Sequence, residues 1–171
     1  PPALFLSGSA SGVYGDRPAD VLPDDAAPGT GFLADVCTAW ESAANAAPAG
    51  VRVITLRTGI VIGKGGGALA PLVPLTKLGV GSRLGTGGQH WPWIALEDEV
   101  GAIVHLATAA PDVSGPVNLA GPEPVVADRI TKHVAEVLHR PYLFRIPEFA
   151  LRLALRDAAD DMLLSSQRMV P

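Results

Sequence analysis

Three stretches hold residue types that could do chemistry. Ser7-Gly8-Ser9-Ala10-Ser11-Gly12 follows a short apolar strand at residues 3–6. Small residues at a strand end let a ligand or a second backbone approach closely. Gly63, Gly65, Gly66 and Gly67, broken by Lys64, follow the apolar run 51–62. A strand feeding a glycine loop is how open α/β sheets place a site at the carboxyl ends of their strands. Lys64 could hold a phosphate together with nearby glycine amides, or be a solvated loop lysine. Gln89-His90-Trp91-Pro92-Trp93-Ile94 is the densest aromatic cluster. His90 there could act as an acid/base or donate to a ligand, or it could be a packing histidine. Trp91 and Trp93 could stack on a sugar or nucleobase, or cover an edge of the core. Cys37 falls on an apolar helix face and reads as inert core rather than as a nucleophile. The 4 His and 1 Cys show no metal-ligand spacing, so no metal site is expected.

The elements that must position these residues follow from periodicity. Residues 51–62 read as one buried strand, organised by Val51, Val53, Ile54, Leu56 and the Ile60-Val61-Ile62 run. Residues 17–31, rich in Pro, Asp and Ala, read as a surface loop. Thr30 is placed to cap a helix over 32–47, whose apolar stripe is Phe32, Leu33, Val36, Cys37, Trp40, Ala43, Ala44 and Ala47. Strand, loop, helix, strand over 1–63 is a βαβ unit and predicts a parallel sheet. Residues 68–78 predict a short helix broken by Pro71 and Pro74. Glu97-Asp98-Glu99 opens a helix to Ala109, with acidic residues at the positive end of its dipole. A strand at 114–119 follows, then a helix over 127–139 burying Ile130, Val134, Val137 and Leu138. A last helix starts at Pro147, with Phe149, Leu151, Leu153 and Leu155 too dense to be fully exposed.

The totals narrow the class. The chain has 171 residues, 48% of them hydrophobic, and a formal charge of −4. That length supports one domain with a real core, and the mild acidity argues against nucleic acid as a partner. A single cysteine suits a reducing compartment such as the cytoplasm. No apolar run reaches the roughly 18 residues of a membrane span.

Four pieces in order resemble one family. SGSASGVYGD (7–16) looks like the serine-bearing strand end of extended short-chain dehydrogenases/reductases of the nucleotide-sugar epimerase type. LRTGIVIGKGGGAL (56–69), WIALEDEVGAIVHL (93–106) and GPVNLAGPEPV (115–125) resemble the strand and loop, the helix and the returning strand that follow in that family. FLADVCTAWE, GKGGGAL and LLSSQRMVP point to its atypical epimerase-family branch.

The resemblance implies an α/β fold: a partial Rossmann-like parallel sheet, the second half of the domain, with a small mixed α/β substrate lobe. Residues 1–63 would belong to the sheet. Residues 64–171 would form the substrate lobe, with a returning helix and strand and C-terminal helices. It further implies an NAD or NADP cofactor in the full-length parent, not bound by this chain alone. The dinucleotide half with its glycine-rich turn is then expected to be absent from this chain. Partners would be a small-molecule substrate and either a second copy of the chain or the missing half. Ser7, Gly8, Thr58, Gly59 and Ile60 would contact the cofactor, while Lys64, Gln89, Trp91 and Trp93 would contact substrate. Ser9 matches the family's serine, with Ser11 as the alternative, and His90 joins them as a candidate catalytic group. The family's Tyr and Lys, four residues apart, fall on Phe32 and Val36 if aligned at Pro28, or on Leu33 and Cys37 if aligned at Glu41. Neither pair supplies a proton donor and an ammonium. The readings that stay open are an epimerase/dehydratase-like enzyme, a cofactor-binding sensor without turnover, and an interaction module built on the helix at 32–47.

Overall fold

The structure is a computed structural model that describes residues 2–67 and 69–171. Ala68, within the expected broken helix, lies outside the described residues. Three parallel strands form the main sheet in the order β1 (Leu4–Ala10), β3 (Arg52–Thr58), β9 (Gly115–Leu119). β1 and β3 pair from Leu4 opposite Arg52 to Ala10 opposite Thr58. They are joined through α1 (Phe32–Asn45), so the βαβ unit read from periodicity is present.

Alternation along β3 sends its side chains to two faces. Ile54 and Leu56 pack with Leu106 of α3 (Leu96–Thr108) and with Leu119. Thr55 and Arg57 face the other way, toward α1, where Arg57 meets Glu41. Both faces of the parallel sheet are therefore covered, as such sheets require.

The apolar run at 51–62 is two strands, not one. β3 ends at Thr58, and β4 (Ile60–Gly63) starts a second sheet with β5 (Gly66–Gly67) and β8 (Trp93–Ala95). Gly59 makes the corner because the chain crosses other backbone there at close range. A Cβ on Gly59 would sit 2.7 Å from the Pro92 carbonyl oxygen and 3.2 Å from that of Leu119. Gly59→Ala should therefore cost about 1–3 kcal/mol, the usual range for overpacking. Denaturant unfolding would read this directly. Gly88→Ala, whose Cβ would meet only Thr86 Oγ1 at 3.8 Å, serves as the near-neutral control.

Further sequence expectations are corrected. Part of the expected loop at 17–31 is a strand, β2 (Arg17–Leu22), paired in parallel with β12 (Gln167–Met169). Its partner lies at the far end of the chain, beyond any local signal. Thr30 does not cap α1: the N-cap is Gly31 at φ 115°, with no side-chain cap. The buried stripe of α1 is Ala34, Cys37 and Ala44 with Glu41 half-buried between them, while Phe32 and Trp40 are exposed. The ion pair to Arg57, rather than the larger apolar residues, sets which face of α1 meets the sheet.

The last correction concerns the small lobe. There α2 (Leu69–Lys77) is continuous through Pro74, β6 (Ser82–Leu84) pairs with β11 (Phe144–Ile146), and β7 (His90–Trp91) pairs with β10 (Val125–Val126). α4 (Ala127–Val137) buries Ala127, Thr131 and Ala135, leaving Val137 exposed and Ile130, Val134 and Leu138 half-buried. α5 (Glu148–Leu155) buries Leu151 alone, while Phe149, Leu153 and Leu155 are exposed. A local apolar count cannot tell a packed face from an open one.

Candidate functional site

A cleft of about 260 Å³ opens at the carboxyl ends of β1 and β3. Its floor is Ala10, Ser11 and Gly12 with Thr58, Gly59 and Ile60. One wall is α1, through Leu33, Val36, Cys37 and Trp40; the other is His90 and Trp91. Small residues end β1 and a glycine turns the corner after β3, so the backbone itself is exposed to whatever occupies the cleft.

Ser9 lies one residue below this floor and is 8% exposed. Its Oγ donates to Glu41 Oε1 at 2.7 Å. Arg57 grips the same carboxylate from the other side, Nε to Oε1 at 2.9 Å and Nη2 to Oε2 at 2.8 Å. Arg57 Nη1 also donates to the Tyr14 hydroxyl at 2.9 Å, and Tyr14 donates to Asn118 Oδ1 at 2.7 Å. Burial raises the Tyr14 pKa, with the Arg57 hydrogen bond opposing. Tyr14 is fully buried and closed off from the cleft by these partners. The network ties β1, α1, β3 and β9 together beneath the site.

The α1 wall carries residues from both alignments left open by sequence. Leu33 and Cys37 line the cleft and approach Gly12, whose Cβ would lie 3.2 Å from Leu33 Cβ and 3.8 Å from Cys37 Sγ. Phe32 is 71% exposed. Of the two alignments, Leu33 with Cys37 puts both residues on the cleft, whereas in the other Val36 lines it and Phe32 does not. Burial pushes the Cys37 thiol up, which keeps it protonated and unreactive.

His90 is the titratable side chain on the opposite wall. Its backbone N–H donates to Ser166 Oγ at 3.0 Å, and its Nδ1 is 3.5 Å from the same oxygen. Burial, helped by the charge of Arg168, pulls its pKa down, so the imidazole is neutral near pH 7. A neutral ring can accept a proton in the cleft.

The remaining candidates separate. Trp91 is buried on the cleft wall with Nε1 donating to Leu163 O at 3.2 Å. Trp93 turns away, after the break at Pro92, into a groove along α4 with Arg129 and His133, its Nε1 donating to Glu123 O. The two tryptophans form no common wall. Gln89 is buried and spends its amide on Leu84 O and Leu163 O. Lys64 sits in the exposed β4–β5 turn, and Ser7 and Gly8 lie mid-strand in β1. None of these four lines the cleft. Sequence reading missed Asp161, Met162, Ser165 and Gln167, which close the cleft from the C-terminal segment. The β2–β12 pairing brings that segment back, held further by Asp16 Oδ1 accepting from Ser166 N at 2.8 Å. LLSSQRMVP was the available signal, read there as a family mark and not as a wall. Among the described residues no metal-binding cluster of His, Cys, Asp or Glu occurs, and no helix is long and apolar enough to cross a membrane.

A parallel α/β sheet with a site at its strand ends defines the chain as Rossmann-like. No family model matches it. An epimerase family protein of Mycobacterium bovis is 42% identical over 170 residues, 99% of this chain and 56% of the relative. The crystal structure of human epimerase family protein SDR39U1 with NADPH superposes at a TM-score of 0.92, with 26% identity, over 100% of this chain and 58% of that one. A nucleoside-diphosphate sugar epimerase from Corynebacterium glutamicum superposes at 0.77, with 32% identity, over 99% of this chain and 32% of that one. The chain spans about half the length of the curated relatives it matches. Over that span it belongs to the atypical epimerase family of extended short-chain dehydrogenases/reductases.

Proposed function

We propose that the chain forms the substrate side of an NAD(P)-dependent epimerase/dehydratase-like protein that handles a small, nucleotide-sugar-like substrate. The carrying observation is the cleft at the ends of β1 and β3, which faces a neutral histidine across a backbone floor. The similarity to a human protein crystallised with NADPH and to a nucleoside-diphosphate sugar epimerase supports the cofactor and the substrate class. In this reading His90 gives or takes the substrate proton. Ser11 offers a hydroxyl at the floor, and Ser9 stands behind it, anchored to Glu41.

The cleft fits the nicotinamide end of such a cofactor. Ala10, Ser11, Gly12, Thr58, Gly59 and Ile60 leave room for a flat ring, and backbone polar groups would orient it. When bound, nicotinamide supplies hydride transfer. The diphosphate end fits poorly beside it. The N-terminus of α1 at Gly31 opens on a cavity lined by Asp16, Glu148, Asp160 and Asp161, with Arg152 already paired to Glu148 and Asp160. Like charges there repel a diphosphate. Titration calorimetry tests this. The chain should bind NADPH no more tightly than nicotinamide mononucleotide. A micromolar dissociation constant for NADPH, well below that for the mononucleotide, would contradict the assignment of the diphosphate end.

One observation favours the sensor reading. Leu33 and Cys37 cannot perform the proton transfer and ribose binding of a Tyr–Lys pair. NAD(P)H-linked turnover on a panel of sugar nucleotides and small carbonyl compounds separates the two readings. Turnover supports the enzyme, and cofactor binding without turnover supports the sensor.

A further inference from the structure

On the α3 face of the sheet a carboxyl group is buried with half of its hydrogen-bonding capacity unused. Glu99 is 8% exposed. Its Oε1 accepts from Thr58 Oγ1 at 2.9 Å, and its Oε2, sealed from solvent, has no partner among the described residues. A carboxylate here would set a full charge against one hydroxyl.

The elements packed around it bring no countercharge. β4 and β8 carry no titratable side chain. In β3, Arg57 turns to the opposite face and is committed to Glu41, while Arg52, at the far end of the strand, is bonded to the carbonyls of Leu106, Ala110 and Val113. In β9 the polar Asn118 turns toward Tyr14. On α3 itself Glu97, Asp98 and His105 are exposed to solvent. An isolated buried charge is costly enough that the group takes up a proton instead. Burial accordingly pushes the Glu99 carboxyl above its ordinary range, with the Thr58 hydrogen bond opposing in part.

We propose that Glu99 is a positioning residue of the cleft, held as a neutral acid, whose carboxyl fixes Thr58 and with it the Thr58-Gly59-Ile60 corner of the cleft floor. A protonated carboxyl keeps its hydrogen bond with Thr58 and leaves Oε2 uncharged, so the orphaned atom costs only a missed neutral hydrogen bond. The folded state then holds this proton over a pH range in which the unfolded chain has lost it. Stability falls as pH rises through that range, from the ordinary glutamate value near 4.3 upward. The corner loosens where the charge appears without a partner.

The inference concerns the shape of the cleft and not the ligand in it, so a failed nicotinamide reading would leave its test unaffected. Infrared difference spectra of wild type against Glu99→Gln, recorded as pH rises from about 4.3, should show the carbonyl stretch of a protonated carboxylic acid persisting above the range of an ordinary glutamate. Thr58→Val should move that band to higher frequency, because the carboxyl loses a hydrogen bond. In thermal melts the Tm of Glu99→Gln should exceed that of wild type by a margin that grows with pH. Absence of the band, a band that Thr58→Val leaves unmoved, or a margin constant with pH would each overturn the proposal.

Discussion

Glu41→Ala will destabilise this chain by about 3–5 kcal/mol, the usual cost of stripping one partner from a buried ion pair. The side chain of Arg57 is 5% exposed and that of Glu41 12%. Removing the carboxylate leaves the guanidinium with the Tyr14 hydroxyl and the Asp24 carbonyl as its close partners, and no countercharge. It also leaves Ser9 Oγ without its acceptor. Urea unfolding of Glu41→Ala measures the loss. Glu41→Leu combined with Arg57→Met should lose less than the single change, since it leaves no charge behind. The pH dependence has a definite sign. Burial pushes the Glu41 carboxyl up, but the hydrogen bonds from Arg57 and Ser9 outweigh it and hold the pKa below the ordinary value. Such a group contributes stability that is present above the unfolded pKa and lost as pH falls through the folded one. The gap between wild type and Glu41→Ala should therefore narrow in acid, below about pH 4.3.

The second large effect falls on turnover. In the full-length parent, His90→Ala should lower NAD(P)H-linked turnover by about 10²–10⁴-fold, the contribution of a positioned acid or base. The wild-type rate should also fall in acid as pH drops through the lowered imidazole pKa, because protonation removes the base. Ser9→Ala should cost about the 10²-fold low end, because Ser9 acts from behind the floor. Rebuilding the family's usual pair is a sharper contrast. Leu33→Tyr with Cys37→Lys places a phenol and an amine in the cleft, whereas Phe32→Tyr starts from a side chain that is 71% exposed. Only the first pair should introduce Tyr-dependent activity. Equal rates from both pairs, or an unchanged rate in His90→Ala, would remove these residues from the site.

The parallel βαβ unit was legible because Val53, Ile54 and Leu56 carry a strand signal within seven residues. The Gly59 corner was not, because the close crossing that demands glycine involves Pro92 and Leu119, far along the chain. The α1 face was misjudged for a related reason. Phe32 and Trp40 outweigh Ala34 and Ala44 in any hydropathy count, yet a salt bridge to a strand 16 residues away fixes the rotation. At the site, His90 and Trp91 were readable as an aromatic cluster after a glycine loop. Trp93 shared that signal and went elsewhere because Pro92 breaks the strand between β7 and β8. The wall from Asp161 to Gln167 had no local signature of function, since a pairing across about 150 residues of sequence delivers it.

The most direct test of the cleft as the functional site is a nuclear magnetic resonance titration of the isotopically labelled chain with nicotinamide mononucleotide. Up to millimolar ligand, a range that reaches weak binding, the amides of Ser11, Gly12, Thr58, Gly59 and Ile60 and the ring protons of His90 and Trp91 should shift together along one binding curve. Trp93, Arg129 and His133, in the groove along α4, should stay in place. Shifts centred on that groove, or no shift at the cleft residues, would contradict the account.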